Sequence, residues 1–79
     1  MDARSILVDA MLEAGCCGFA REDKVAECIG LVLDTWASGV RFVSRSDEDV
    51  LGWCSRFLEN FGLDVEAMLP HALAFVKGS

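Results

Sequence analysis

Four cysteines, one histidine and a run of three carboxylates are the side chains from which chemistry would have to be built in this sequence. Cys16 and Cys17 are adjacent and bracketed by Gly15 and Gly18, whereas Cys28 and Cys54 stand alone. A structural zinc site needs Cys-x₂₋₄-Cys pairs, so that two thiolates can face one tetrahedral ion, and adjacent cysteines lack that spacing. Cys54 falls on an apolar stripe, where a free cysteine behaves as a small hydrophobe. Cys16 and Cys17, in a glycine-flanked turn, are the thiols expected to be exposed and oxidisable, and a thiol-dependent redox protein is one reading they leave open. His71 has no carboxylate or cysteine four residues to either side. A catalytic histidine needs both a nucleophile and an orienting partner in space. Gly15-Cys16-Cys17-Gly18 lacks the lysine and the preceding strand of a phosphate loop. Asp47-Glu48-Asp49 lacks the alternating spacing of a calcium loop and reads better as the start of a helix. The expectation is therefore no catalytic residues, no metal, no cofactor and no enzyme activity.

Charge and apolar surface remain. Thirteen acidic residues against seven basic ones give a net charge of −6 over 79 residues. Nucleic-acid binding needs clustered Lys and Arg to neutralise phosphates, and Arg4, Arg21, Lys24, Arg41, Arg45, Arg56 and Lys77 are scattered. Direct nucleic-acid binding is not expected, and anionic membrane surfaces are disfavoured for the same reason. An acidic protein is drawn instead to basic surfaces, which are commonly the nucleic-acid-binding faces of other proteins. The plainer role of net negative charge is to keep a small, apolar-rich domain in solution. No apolar run is long enough to span a membrane, and Met1-Asp2-Ala3-Arg4-Ser5 does not open like a secretory signal, so a cytoplasmic location is expected.

The elements that would position these charges are helices. Residues 2–14 run without Gly or Pro to Gly15, with Ala3, Leu7, Ala10, Met11 and Ala14 on one face and Asp2, Asp9 and Glu13 opposite. Val8 and Leu12 widen the apolar arc, so this helix is either central or part of an interface. Residues 15–19 read as a turn. A second helix over 21–38, closed by Gly39, places Val25, Ile29, Val32, Leu33 and Trp36 on its core stripe and Asp23, Glu27 and Asp34 on the far side. Val40 to Val43 reads as a connector that tucks Phe42 or Val43 under the bundle. Ser46 caps a third helix over 47–61, with Val50, Cys54, Phe57, Leu58 and Phe61 inward and Gly62 at its end. Asp64 caps a fourth over 64–77, with Val65, Met68, Leu69, Ala72 and Val76 on one face and a kink or break at Pro70. The fold expected is a single all-α domain over 1–79, a compact bundle of about four helices. Its core is expected to hold Ile29, Val32, Trp36, Val50, Cys54, Phe57, Leu58, Phe61, Met68, Leu69 and Ala72.

Two acidic ridges, Asp9 with Glu13 and Asp23 with Glu27 and Asp34, are the candidate partner-binding residues. Their spacings correspond to about 6 or 10–11 Å along a helix, the shorter being similar to the phosphate spacing of one DNA strand. Trp53, at the edge of the third helix's apolar arc, joins them as a candidate anchor, because a large rigid ring is buried at little entropic cost. In size, acidity and lack of motifs the chain is similar to small phage-encoded inhibitors, among them DNA mimics and anti-CRISPR proteins. That likeness is one of composition and implies an inhibitor that blocks a basic surface of a larger complex. The structural alternative is a homo-oligomeric helical scaffold in which surplus apolar surface on the first helix closes a dimer.

Overall fold

The computed structural model describes residues 2–18 and 21–78, without the side chain of Glu22, and it is built from four helices, α1 (Ala3–Glu13), α2 (Glu22–Val43), α3 (Asp47–Asn60) and α4 (Val65–Val76). Among the described residues there is no strand. Phe19, expected in the turn after α1, lies outside the described residues, as does Ser79.

The helix ends follow the chemistry of their flanking residues. Asp2, Ser46 and Asp64 each accept a hydrogen bond from the backbone amide three residues on, at 2.8, 3.2 and 3.3 Å, occupying a donor that the first turn leaves free. Gly15 and Gly62 both adopt the left-handed conformation, with φ of 78° and 69°. Each lets the chain fold back so that Cys16 N–H reaches Met11 O at 3.0 Å and Leu63 N–H reaches Leu58 O at 2.9 Å. These are Schellman closures, in which glycine adopts positive φ without a Cβ clash.

Gly39 does not end α2. The helix continues to Val43, and the connector expected at Val40 to Val43 is its last turn. Two contacts outweigh the propensity lost at one glycine, about 1 kcal/mol. Val40 falls on the same stripe as Ile29, Leu33 and Ala37, and it is 1% exposed. Arg41 reaches across to the end of α4, its Nε donating to Val76 O at 2.7 Å and Nη2 to Phe75 O at 2.9 Å. A cation there satisfies the Val76 carbonyl, shares the Phe75 carbonyl with the Gly78 amide, and meets the negative end of the dipole. Phe42, expected to tuck under the bundle, is 88% exposed, and Val43 is exposed as well.

Helix α4 packs closely against all three others, most of all α3 and α1. Its sequence explains the position: apart from Glu66 and His71 it is apolar or proline all round, the pattern of a helix buried on several sides. It runs undivided through Pro70, whose missing amide leaves the Glu66 carbonyl without its usual donor. The buried cluster takes Leu7 and Met11 from α1, Ile29, Leu33, Ala37 and Val40 from α2, Cys54, Phe57 and Leu58 from α3, and Ala72, Phe75 and Val76 from α4. Val32, Trp36, Val50, Phe61, Met68 and Leu69, expected at the centre, are partly buried and pack around this cluster.

Candidate interaction surface

The two acidic ridges occupy different settings. On α1, Asp9 and Glu13 are exposed and pair with no basic side chain among the described residues. On α2, Asp34 is held by Arg4, whose Nε and Nη2 lie 3.3 Å from its two carboxylate oxygens, a fork-shaped contact. The carboxylate raises the Arg4 pKa, first by accepting its hydrogen bonds and then by its charge. Glu27 pairs with Lys24 at 3.2 Å, one helical turn away, and Asp23 remains exposed. Gly30 makes the Arg4 contact possible, since a Cβ there would come within 2.5 Å of Arg4 Nη2. The arginine therefore crosses α2 over a glycine to reach Asp34.

That crossing separates the ridges. At 100° per residue, Asp9 and Glu13 lie about 140–180° around α1 from Arg4, the residue that meets the acidic row of α2. The structure does not merge the two rows into one face. The α1 ridge instead runs toward the turn between α3 and α4, where Glu13 and Asp64 share a cleft of about 300 Å³ with Ala10, Ala14, Gly62, Leu63 and Met68. A further carboxylate group, Asp47, Glu48 and Asp49, stands exposed at the start of α3, with Lys77 4.0 Å from Asp47.

Trp53 lies in an aromatic setting. It is 40% exposed and, with Trp36, Arg56, Phe57 and Asn60, lines a cleft of about 220 Å³. The Arg56 guanidinium sits 5.0 Å from the Trp53 ring centroid, within cation–π range, and its Nε donates to Gly52 O at 3.4 Å. Trp36 lies beside Phe57 and Phe75, its ring stacked on Phe57 with centroids 3.9 Å apart and planes 15° from parallel. Its indole Nε1 is buried with no acceptor. The α2–α3 flank thus presents a rigid aromatic shelf with one cation over it.

The cysteines are less accessible than their glycine-flanked turn implied. Cys16 and Cys17 are half-buried and pack against the core, and the Cys16 thiol lies 3.9 Å from Phe61 O. Burial, followed by the neighbouring Cys17, pushes the Cys16 thiol pKa up, which lowers the thiolate fraction a redox reaction needs. Among the described residues no group of three metal-ligating side chains comes together, and no helix is long and apolar enough to cross a membrane. Comparison with known protein families, curated proteins and solved structures returns no match to this chain.

The exposed apolar side chains that sequence reasoning missed are Phe42 and Leu31, the latter 63% exposed. Both lie on the outer side of α2. Assigning Val40 to Val43 to a connector hid the signal, which is a spacing of eleven residues, three helical turns.

Proposed function

We propose that the protein is a non-enzymatic interaction module that sets its carboxylates against a basic surface of another protein. In its specific form it is an inhibitor that occupies a nucleic-acid-binding face of a larger complex, its carboxylates standing where phosphates would lie. The observation that carries this reading is the division of charge. Of the seven Lys and Arg, Arg4, Lys24, Arg41, Arg56 and Lys77 are each committed to a neighbour within the fold. Asp9, Glu13, Asp23, Glu48 and Asp49 face solvent without an ion pair among the described residues. The outward field is acidic, and such a field steers association with a basic partner. Trp53 on its aromatic shelf supplies an apolar anchor apart from the α1 ridge.

The α1 ridge is the better place to test the proposal, because Asp34 is engaged by Arg4. A pull-down from the native host, read by mass spectrometry, supplies the partner. A titration of that partner at two ionic strengths then compares the parent with an Asp9→Lys, Glu13→Lys double variant. The expected outcome is binding that weakens with salt and falls by at least about tenfold in the variant, while helicity is unchanged. Affinity indifferent to both salt and charge reversal would assign the contact to apolar side chains and refute the basic-surface reading.

A further inference from the structure

Helix α2 packs closely on α1 and α4, whereas it meets α3 through rings, Trp36 stacked on Phe57 at 3.9 Å. Beside that stack lies the cleft of about 220 Å³, walled by Trp36 from α2 and by Trp53, Arg56, Phe57 and Asn60 from α3. The four α3 residues sit at i, i+3, i+4 and i+7, so one face of the helix supplies them all. Three features set this cleft apart from an apolar gap. No carboxylate lines it, although the chain carries a net charge of −6. Arg56 is held in place, its Nε on Gly52 O and its guanidinium carbon 5.0 Å from the Trp53 centroid, while its two Nη groups make no hydrogen bond among the described residues. Trp36 Nε1–H is buried without an acceptor, an unmet donor on a lining residue.

We infer that the cleft binds a small planar aromatic carboxylate, its ring against Trp53 and Trp36 and its carboxylate on the Nη groups of Arg56. A guanidinium offers parallel donors that match the two oxygens of a carboxylate. Asn60, one helical turn on from Arg56, adds a carboxamide donor on the same side. Flat ring faces select a flat ligand, and the Trp36–Phe57 stack fixes one wall beforehand, so little order is imposed on binding. A neutral guest would cover the guanidinium without giving it a partner, which costs affinity. Drug-sized sites enclose about 300–1,000 Å³, so a cleft of about 220 Å³ takes a single ring or two fused rings. A free acid is selected over an acidic stretch of another protein, because a chain of charge −6 repels an acidic surface more than it repels one negative charge. No α1 residue lines the cleft, so the inference does not rest on the acidic ridge of that helix.

The chain has two tryptophans, and both line the cleft, so their indole N–H signals report on its two walls. The test is a proton–nitrogen correlation titration of the full chain with 2-naphthoate, against the neutral isostere 2-naphthamide and against acetate. Naphthoate is expected to shift both indole signals saturably, with a Kd of about 1 mM or below. Naphthamide and acetate are each expected to bind at least about fivefold more weakly, one lacking the charge and the other the ring. Arg56→Gln is expected to lower naphthoate affinity at least about fivefold, to the level of naphthamide, with helicity unchanged because Arg56 is exposed. Trp53→Ala is expected to weaken both naphthyl ligands alike, since it removes a ring and leaves the charge. No saturable shift up to about 10 mM naphthoate would overturn the inference. Equal binding of naphthoate and naphthamide would overturn it by reducing the cleft to an apolar gap. Full naphthoate affinity in Arg56→Gln would overturn it as well, by placing the carboxylate elsewhere.

Discussion

Helices α2 and α4 both carry apolar side chains around more of their circumference than one neighbour can cover, yet only α4 is surrounded. Helix α4 has α1, α2 and α3 against it, and its C-terminal carbonyls are taken by Arg41. Helix α2 is nearly twice as long, packs against α1 and α4, stacks one tryptophan on α3, and leaves its outer side to water. The apolar surplus of α4 is explained by the bundle. On the outer side of α2, Leu31 and Phe42 have no such cover and are 63% and 88% exposed.

The sharpest break of this comparison comes from substitutions on the two sides of one helix. Leu33→Ala opens a cavity in the core and is expected to cost about 2–5 kcal/mol, whereas Leu31→Ala, two residues earlier, should stay within about 0.5 kcal/mol. Phe57→Ala should cost about 3–5 kcal/mol, because the ring stacked on Trp36 goes with it. Losses of that size can unfold a small domain with a total stability of about 5–15 kcal/mol. Urea denaturation at low protein concentration reads all three. Equal losses at positions 31 and 33 would mean that the outer side of α2 is covered in the monomer.

The caps and the long periodic runs could be read from the sequence because they rest on local chemistry. Ser46, Asp64, Gly15 and Gly62 act within a few residues of themselves, and the structure has each in its expected role, while Asp2, read as part of the first helix's acidic face, is its N-cap. What could not be read depends on residues far apart in the chain. Gly39 resembles a stop until Val40 finds the core and Arg41 finds the end of α4, thirty-five residues on. The central place of α4 was equally hidden, because a one-face reading of Val65, Met68, Leu69, Ala72 and Val76 set aside Leu73 and Phe75 on its other sides. The acidic residues were visible as rows, but their division into free and paired depends on the Arg4 contact across α2. The surplus assigned to α1 is also smaller than its pattern implied, since Val8 packs against the core and Leu12 is 38% exposed. Trp53 was placed at the edge of the third helix's apolar arc by the helical period alone, and the structure has it there, in one cleft with Phe57 and Asn60.

The reach of α2 past Gly39 supplies the next test. Arg41→Ala removes two hydrogen bonds from the end of α4 and is expected to cost about 1 kcal/mol, similar to Ser46→Ala at the start of α3. Hydrogen exchange should show the loss at the last turns of α2 and α4 together. If protection falls in α4 alone, Val40 is enough to hold the last turn of α2.

A smaller effect follows from the buried thiol. Burial pushes the Cys54 pKa above its ordinary value near 9. For a group whose folded pKa is raised, the contribution to stability is complete below the unfolded pKa and is lost as pH climbs through the folded one. Melting temperature should therefore decline from about pH 9 upward. Cys54→Ala should flatten that decline while lowering the whole curve through its small cavity. An unchanged slope in the variant would move the alkaline loss to Cys16, whose pKa burial also raises.

The smallest expected effect is at Gly30, where two terms nearly cancel. Glycine within a helix costs about 1 kcal/mol relative to alanine, so Gly30→Ala gains on propensity. Its new Cβ would fall 2.5 Å from Arg4 Nη2, and the guanidinium must move. That atom is the far end of a flexible side chain, half-exposed, and the ion pair it makes with Asp34 is worth about 0–1 kcal/mol in such a setting. The net change in stability should lie within about 0.5 kcal/mol of zero. The informative readout is therefore salt dependence. Freed from Arg4, Asp34 would leave the α2 row more negative, and a basic partner docking there should bind more tightly at low salt than it binds the parent. If Gly30→Ala instead destabilises the fold by more than about 1 kcal/mol, Arg4 holds α1 against α2 and is not merely a surface partner of Asp34. The close packing of those two helices would then depend on the absence of a side chain at residue 30.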